Sequence, residues 1–356
     1  KKLHCGKACY ATAWRPETPT GHATMKTHAL GRQGPVVSRI GLGCMGMSDF
    51  YGAADEGESV ATIAAALDAG INLLDTGDFY GMGHNEMLIA RALEGGKRDK
   101  AILSVKFGGM RAPDGAFIGF DLRPQAIRNF LSYSLKRLKT DYIDIYRPAR
   151  LDPSVPIEDV AGTIKDLIKE GYVRHLALSE MSAETVAKAD AVTPVCDLQI
   201  EYGVVTRGIE DHILPRLRER GVGVTAYGVL SRGLISTAAV EGRFASPMVG
   251  HLPRFTGDNL KHNLGLVEAL AAVAKGRGIS VAQLAIAWAL ARGEDIVPLI
   301  GARTRARLKE ALGALDVVLS ADELAAIERA VPADAIKGER YVPAQMVMLD
   351  SEKKPA

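Results

Sequence analysis

The stretch Gly70-Ile71-Asn72-Leu73-Leu74-Asp75-Thr76 is an apolar run that leads into an acidic residue. A second run, Ala101-Ile102-Leu103-Ser104-Val105-Lys106, ends in a basic residue, and Tyr80 lies between the two runs. Short apolar runs of this kind are typical of buried strands. If the strands are neighbours in a parallel sheet, their carboxyl ends bring Asp75, Lys106 and Tyr80 to one edge. A lysine beside a phenol lowers the phenol's pKa and an aspartate orients the lysine, so a tyrosine can donate a proton near neutral pH.

Eight such runs alternate with amphipathic segments after Met25. Strands are predicted at 37–43, 71–75, 102–106, 142–146, 173–179, 195–201, 223–227 and 296–300. Helices are predicted at 58–69, 86–93, 124–138, 157–170, 183–189, 210–220, 264–274, 283–290 and 305–312. Repeated βα units of this size indicate a parallel sheet. Eight units favour a single (β/α)₈ TIM barrel over residues 25–356, with long loops at the carboxyl face, where the active site lies, and an extra C-terminal helix and tail.

Composition limits the partners. The chain of 356 residues is 47% hydrophobic and carries a formal net charge of +2, which favours neither a nucleic acid nor another polyanion. No apolar run approaches the roughly 20 residues that cross a bilayer, so no membrane partner is expected. The four cysteines, at positions 5, 9, 44 and 196, show no framework spacing, which favours a cytoplasmic location.

Residues 1–24 differ from the rest because they show no periodicity. We expect them to be a disordered or non-native extension. His4, Cys5 and Cys9 in this segment are a weak alternative metal site, and no metal is expected elsewhere.

The run Gly41-Leu42-Gly43-Cys44-Met45-Gly46 fits the glycine fingerprint of a Rossmann dinucleotide-binding unit. In that unit the third glycine opens a helix, whereas here the helical pattern begins only near Glu58. Asp75 is also farther on than the ≈ 20 residues expected for a ribose-binding acid. A Rossmann dehydrogenase is therefore a distant alternative.

Together with residues 70–76, the run Tyr80-Gly81-Met82-Gly83-His84-Asn85-Glu86 resembles the first motif of the aldo-keto reductases. The likeness extends from Ile40 to about Tyr341 and is nearest to bacterial members related to the potassium-channel β subunits. It implies NADPH-dependent reduction of aldehydes or ketones, with a hydride from the nicotinamide and a proton from tyrosine. By position, Tyr80 is the acid, Lys106 lowers its pKa and Asp75 holds Lys106.

The resemblance also implies a nicotinamide site at the ends of later strands. Ser179 and Gln199 match residues that hold the carboxamide, and Glu180 stands where the family usually has an asparagine. Tyr227 matches the tyrosine that stacks on the nicotinamide. Leu230 and Arg232 belong to the loop that covers the pyrophosphate.

The segment Gly301-Ala302-Arg303-Thr304-Arg305-Ala306-Arg307 opens a helix, and a helix N-terminus favours an anion. Forked guanidinium groups suit a 2′-phosphate, so NADP is favoured over NAD. The family's pattern points to Arg303 and Arg307, with Gly301 beside them and Glu310 toward the adenine. A solvated basic helix end is the alternative.

The chain departs from the family at Ala149, where the alignment through Arg150 places a histidine that polarises the carbonyl oxygen. Removing one such donor costs about 10²–10³ in rate in other enzymes. Three interpretations remain open: catalysis by Tyr80 and Lys106 with a water, extra room for a bulkier ketone or secondary alcohol, or a vestigial site. Phe50, Tyr51 and Phe107 are candidates for the substrate pocket, beside Ala149.

Two functions follow. The first is an NADPH-dependent reductase of carbonyl compounds, which oxidises alcohols in reverse with NADP⁺. The second is a regulatory NADP-binding subunit that resembles the channel β subunits and turns over slowly. The sequence leaves a homo-oligomer open.

Overall fold

Eight parallel strands close into a barrel in the computed structural model, which describes residues 25–48, 51–244 and 249–353. In chain order the strands of these residues are β1 (Thr27–Ala29), β2 (Val36–Ser38), β3 (Gly41–Gly43), β4 (Leu73–Gly77), β5 (Ile102–Phe107), β6 (Gly109–Arg111), β7 (Phe117–Phe120), β8 (Ile143–Pro148), β9 (Val173–Ser179), β10 (Val195–Glu201), β11 (Gly223–Tyr227) and β12 (Ile296–Ile300). The barrel order is β3-β4-β5-β8-β9-β10-β11-β12, and β12 pairs with β3 to close it. The strands β1–β2 and β6–β7 form two antiparallel hairpins. The predicted TIM barrel is confirmed.

Helices surround this barrel. They are α1 (Glu56–Asp68), α2 (His84–Ala92), α3 (Pro124–Leu138), α4 (Ile157–Lys169), α5 (Ala183–Val192), α6 (Ile213–Arg220), α7 (Thr237–Val240), α8 (Gly257–Arg277), α9 (Val281–Ala291), α10 (Arg305–Leu312), α11 (Ala321–Ala330) and α12 (Pro343–Met346). Among the described residues no single helix has the length and apolar character to cross a membrane, although α8 and α9, which meet at 89°, pass that test as a bent pair by length and composition alone. The predicted extension at residues 1–24 lies outside the described part of the chain.

The predicted first strand, 37–43, is two strands in the structure. Its first half is β2 and its second half is β3. The Asn72 side chain accepts from the Ser38 backbone N–H at 2.8 Å, and the Ser38 hydroxyl donates to the Ile40 carbonyl at 2.7 Å. These side-chain bonds take the place of strand pairing and end the hairpin.

The Rossmann alternative is wrong. After β3 the chain makes a short turn at Met45–Met47, and α1 begins only at Glu56. The Asp55 side chain caps that helix by accepting from the Glu58 backbone N–H at 2.6 Å. The glycine run therefore feeds a barrel strand and a loop.

The barrel interior is layered along its axis. At the amino-terminal end, Leu73, Ile145 and Val297 pack with Leu30 and Val37 of the first hairpin, and all five are buried. Because alternate residues of a strand share a face, the next inward positions lie one layer higher, toward the carboxyl ends. That layer is polar, and it forms the floor of the candidate site.

Candidate active site

The structure brings Asp75 of β4 and Lys106 of β5 together, as the sequence predicts. The two strands are paired in register, with Lys106 opposite Gly77, and the Lys106 ammonium donates to the Asp75 carboxylate. A weaker contact of 3.4 Å joins Lys106 Nζ to the Thr76 carbonyl. Burial lowers the pKa of Lys106, and the Asp75 carboxylate opposes that effect by raising it.

Tyr80 lies directly beside this pair, on a short turn after β4. Its ring packs on the backbone of Gly77, where a Cβ atom would lie 3.2 Å from the ring. The Lys106 ammonium is 5.4 Å from the ring centroid. Burial and the Asp75 carboxylate raise the pKa of Tyr80 well above its ordinary value, and the Arg150 guanidinium opposes them. The phenol is therefore protonated near neutral pH. Its pKa is raised, whereas the sequence predicts that it is lowered, because burial removes the water that would stabilise the phenolate.

A polar layer beneath Asp75 was not predicted. The Asp75 carboxylate accepts from the Ser104 hydroxyl at 2.9 Å and from the Gln199 amide at 2.7 Å. Below it, Arg147 makes two hydrogen bonds to Asp197, at 2.9 and 3.1 Å, and one to Ser104 at 3.0 Å. The layer fixes the orientation of Asp75. The available signal was Asp197 inside the predicted strand 195–201 and Arg147 directly after the predicted strand 142–146.

Ser179 ends β9 and lies beside Gln199 of the neighbouring β10, with which it forms a register pair. The Gln199 NH₂ group is engaged with Asp75, which leaves its carbonyl oxygen for another donor. The Ser179 hydroxyl is 3.4 Å from Arg150 Nη1. Their predicted contact with a nicotinamide carboxamide stays a prediction.

Glu180 has a different environment from the one the sequence suggested. Its carboxylate accepts from both Nη atoms of Arg340, at 3.0 and 2.7 Å, from the Tyr227 hydroxyl at 2.6 Å, from the Ser351 hydroxyl at 2.8 Å and from the Glu201 backbone N–H at 3.0 Å. Five donors exceed the about four lone-pair sites of a carboxylate. In this arrangement Glu180 anchors the C-terminal tail and has no oxygen to offer to a cofactor amide.

Tyr227, at the end of β11, lies under that tail. Its hydroxyl is 3.0 Å from the hydroxyl of Tyr341, and the Arg232 guanidinium lies 4.4 Å from the centre of the Tyr341 ring. Arg232 is also 3.5 Å from a carboxylate oxygen of Glu201. Burial and the Glu180 carboxylate raise the pKa of Tyr227. Leu230, in the same loop as Arg232, is partly buried and packs against the hydrophobic core.

Backbone strain is concentrated in these loops. Left-handed φ angles occur after barrel strands at Met82 (52°), Glu180 (52°), Ser231 (45°) and Arg232 (54°), and also at Lys139 (52°), which ends α3. Such angles are uncommon for residues with a side chain and cluster at functional sites.

A cavity of about 210 Å³ lies at the N-terminus of α10. Arg303, Thr304 and Arg307 line it on one side, and Asp55 and Glu58 on the other. Gly301 is exposed just after β12, and Glu310 is half-buried one turn along the helix.

The three arginines of this segment differ in their partners. Arg305 is occupied by Glu58, with Nη2 at 2.8 Å from the carboxylate. Arg303 donates to the Tyr51 carbonyl at 2.8 Å. The Arg307 backbone N–H donates to the Thr304 hydroxyl, which caps the helix, at 3.3 Å. Arg303 and Arg307 line the cavity, and Arg305 does not.

The residues predicted for the substrate pocket differ in their environments. Tyr51 is half-buried. Burial raises the pKa of its phenol, and the Arg232 guanidinium opposes that effect. Phe50 lies outside the described residues. Phe107 does not line a pocket: its ring is 0% exposed and stacks on Tyr146 with centroids 4.1 Å apart, because it ends β5 on the face toward the helices. Ala149 lies at the site but is 2% exposed.

Comparison with known proteins agrees with this geometry. The sequence model of the Aldo/keto reductase family matches residues 39–332. A relative from Glycine max, named probable aldo-keto reductase 1, is 39% identical over 316 residues, which cover 88% of this chain and 90% of the relative.

Solved structures give the same result. A glycerol dehydrogenase from Gluconobacter oxydans superposes with a TM-score of 0.77 at 29% identity, over 90% of this chain and 97% of that one. An aldo-keto reductase from Bacillus halodurans, solved in its holo form, gives 0.72 at 28% identity, over 87% and 97%. The nearness to channel β subunits stays a prediction. The chain belongs to the aldo/keto reductase family.

Proposed function

We propose that this protein is an NADPH-dependent carbonyl reductase that reduces aldehydes and ketones and oxidises secondary alcohols in reverse. One observation carries the proposal: a buried aspartate–lysine ion pair lies beside a buried tyrosine at the carboxyl end of a closed barrel. Active sites of this fold lie at that end. Family membership supports carbonyl reduction in general, while the cofactor and the residue roles are part of the proposal.

In the proposed mechanism Tyr80 is the proton donor. Its raised pKa keeps the phenol protonated, as an acid must be before transfer. Lys106 stabilises the phenolate that remains, and Asp75 holds Lys106 in position through their ion pair. When bound, NADPH supplies the hydride that the carbonyl carbon accepts. The buried surroundings of Tyr80 exclude bulk water from the transferred proton.

The residues at α10 fit the phosphate end of this cofactor. The exposed Arg307 and the half-buried Arg303 line one cavity at a helix N-terminus, where the dipole also favours an anion. The Glu58 carboxylate in the same cavity is neutralised by Arg305. This donor set supports NADPH over NADH. Ser179 and Gln199 remain the proposed carboxamide contacts, without Glu180.

A weakly active NADP-binding regulatory subunit is the second candidate, and Ala149 is the observation that favours it. Loss of NADPH absorbance with aldehydes, ketones and dicarbonyls separates the two functions. The reverse assay with NADP⁺ should include secondary alcohols and polyols, because one similar structure is a glycerol dehydrogenase. Turnover with a member of this panel supports the reductase, whereas tight NADPH binding without turnover supports the regulatory subunit.

The direct test is Tyr80→Phe, with Tyr133→Phe as the matched control. Tyr133 is an exposed tyrosine on α3, remote from the site, so the control loses the same hydroxyl elsewhere. We expect Tyr80→Phe to abolish turnover while NADPH still quenches protein fluorescence, and Tyr133→Phe to behave as the wild type. A Tyr80→Phe variant with near-full activity would remove Tyr80 from the mechanism.

A further inference from the structure

Arg150 occupies the place next to the missing histidine. It follows Ala149 just after β8, and its Nη1 donates to the Ala149 carbonyl at 2.6 Å and to the Ser179 hydroxyl at 3.4 Å. Within residues 25–48, 51–244 and 249–353, Nε and Nη2 of Arg150 make no hydrogen bond, and the side chain is half-buried. The guanidinium group therefore lies at the site with donors to spare.

The charge of Arg150 acts on both groups of the proposed acid. Burial and Asp75 raise the pKa of Tyr80, whereas Arg150 lowers it, against smaller contributions from Tyr341 and Tyr51 that raise it. Arg150 also lowers the pKa of Lys106, after burial and together with Arg147. The strand pairing agrees with this: β8 pairs with β5 with Lys106 opposite Arg147, so Arg150 follows the strand next to Lys106 at the carboxyl end of the barrel.

On its other side, Arg150 contacts the nicotinamide half of the proposed cofactor site. Ser179 is the proposed carboxamide contact. Burial lowers the pKa of Arg150, and surrounding acidic groups, among them the Glu180 carboxylate, outweigh that effect. A carbonyl group that is reduced must lie between the nicotinamide and Tyr80. Arg150 follows β8, which lies between β5 with Lys106 and β9 with Ser179.

Little of Ala149 is exposed to solvent. Ala149 is 2% exposed, so the loss of the histidine side chain does not open the site to water at this residue. This weakens the interpretation in which a solvent molecule takes over from the histidine. It leaves the neighbouring guanidinium as the donor available at that position.

We propose that Arg150 is a catalytic residue that replaces the family's histidine: its guanidinium donates to the carbonyl oxygen of the substrate, beside the Tyr80 hydroxyl. The inference rests on the proposed function. In the step, a hydride that bound NADPH would supply, leaving NADP⁺, would form the new C–H bond, and the π pair of the C=O bond would take the Tyr80 proton to form O–H. The Tyr80 phenolate is balanced by Lys106 and Arg150 until water returns a proton. An arginine stays charged throughout, whereas an imidazole does not.

The test compares Arg150→Met, Arg150→Lys and the double variant Arg150→Met with Ala149→His. Arg123→Met is the control, because Arg123 occupies the N-cap position of α3 without a side-chain capping bond, and its side chain is 62% exposed and paired to Asp121. The probes are NADPH with an aromatic aldehyde, an aliphatic ketone and a 1,2-diketone. The readouts are kcat, KM and the NADPH dissociation constant.

We expect Arg150→Met to lower kcat about 10²–10³-fold, the usual loss of one oxyanion donor, with NADPH affinity nearly unchanged. The kcat of Arg150→Lys should lie between those of the wild type and Arg150→Met, because lysine keeps the charge and loses the forked geometry of the guanidinium. The imidazole of the double variant should recover part of kcat. In the alcohol-oxidation direction the pH midpoint should rise in Arg150→Met, since the charge that lowers the pKa of Tyr80 is gone.

Several results would overturn the inference. An Arg150→Met enzyme with wild-type kcat and pH midpoint, or one whose only loss is in NADPH affinity, shows that Arg150 merely supports the strand end or the cofactor. If that variant fails to fold, Arg150→Lys decides, and wild-type kcat in it has the same meaning. If the wild type and Tyr80→Phe are equally inactive on every probe, the proposed function fails together with the inference. If Tyr80→Phe is inactive while the Arg150 variants keep wild-type activity, the proposed function holds and the inference fails.

Discussion

The C-terminal tail should detach when its buried anchor is removed. Glu180→Gln keeps the size of the side chain but deletes the charge that pairs with both Nη atoms of Arg340, in a contact where the side chains are 0% and 5% exposed. Truncating one partner of a buried ion pair costs about 3–5 kcal/mol. Because Arg340 keeps Glu201 and Glu352 as partners, we expect about 2–3 kcal/mol here.

This cost should appear locally, since the tail lies over the barrel instead of forming its wall. A change of about 2–3 kcal/mol is roughly a 30- to 150-fold increase in the opening equilibrium at 25 °C. Hydrogen exchange of peptides from residues 338–352 measures it directly. Glu352→Gln is the matched control: it pairs with the same Arg340 but is 42% exposed, so about 0–1 kcal/mol is expected.

The same anchor should respond to acid. Burial alone would raise the pKa of Glu180, but the Arg340 guanidinium outweighs it and holds that pKa well below its ordinary value of 4.5. A depressed carboxyl pKa stabilises the folded state fully above the unfolded value and progressively less as the pH falls below it. Tail protection should therefore be constant above about pH 5 and fall below about pH 4.5. Unchanged exchange in Glu180→Gln, or equal effects of both variants, would refute the reasoning.

Three further variants test other parts of the structure. Asp197→Asn leaves its buried arginine partner without a counter-charge and should cost about 3–5 kcal/mol in urea unfolding; a loss under about 1 kcal/mol would contradict the buried pair. Arg307→Ala should weaken NADPH binding about 10- to 150-fold by fluorescence titration and leave NADH unaffected, whereas Lys309→Ala on the same helix should change neither; equal losses for both cofactors would argue against a 2′-phosphate contact. Gly77→Ala adds a Cβ atom 3.2 Å from the Tyr80 ring, so kcat should fall severalfold with NADPH affinity retained, and an unchanged kcat would show that the ring position is not critical.

The barrel was predictable because each strand is a short apolar run between helical patterns. The helices at 124–138 and 305–312 were predicted with the bounds that the structure has. The extra C-terminal helix was predicted without bounds; the structure has a helix at Ala321–Ala330, where Ser320 and Glu323 form a capping box that is visible in the sequence. The hairpin of β6 and β7 carries no such signal, since its short strands are half exposed and weakly patterned.

The candidate site was predictable in part. Asp75, Lys106 and Tyr80 converge because strand ends of a parallel barrel share one face. The tail contacts of Glu180 depend on Arg340, 160 residues later in the chain, and no local pattern announces them. The direction in which the pKa of Tyr80 shifts depends on the burial of its ring, and the order of residues at the strand ends does not show that burial. The sequence therefore did not predict the ion pairs between distant residues or the loss of water around buried groups.

The seam between β3 and β12 gives the barrel an order of assembly. Gly41 pairs with Leu299, and the Arg39 side chain holds the Glu294 carbonyl 255 residues away in the chain. Contacts of such sequence separation form slowly, and a growing chain makes its N-terminal part first. Until the eighth barrel strand has emerged, the interior stays open to water and the Asp75–Lys106 pair is solvated. The site thus becomes able to catalyse proton transfer only when the barrel closes. A truncated chain that lacks β12 should contain every proposed catalytic residue, and its Tyr80 should not act as an acid.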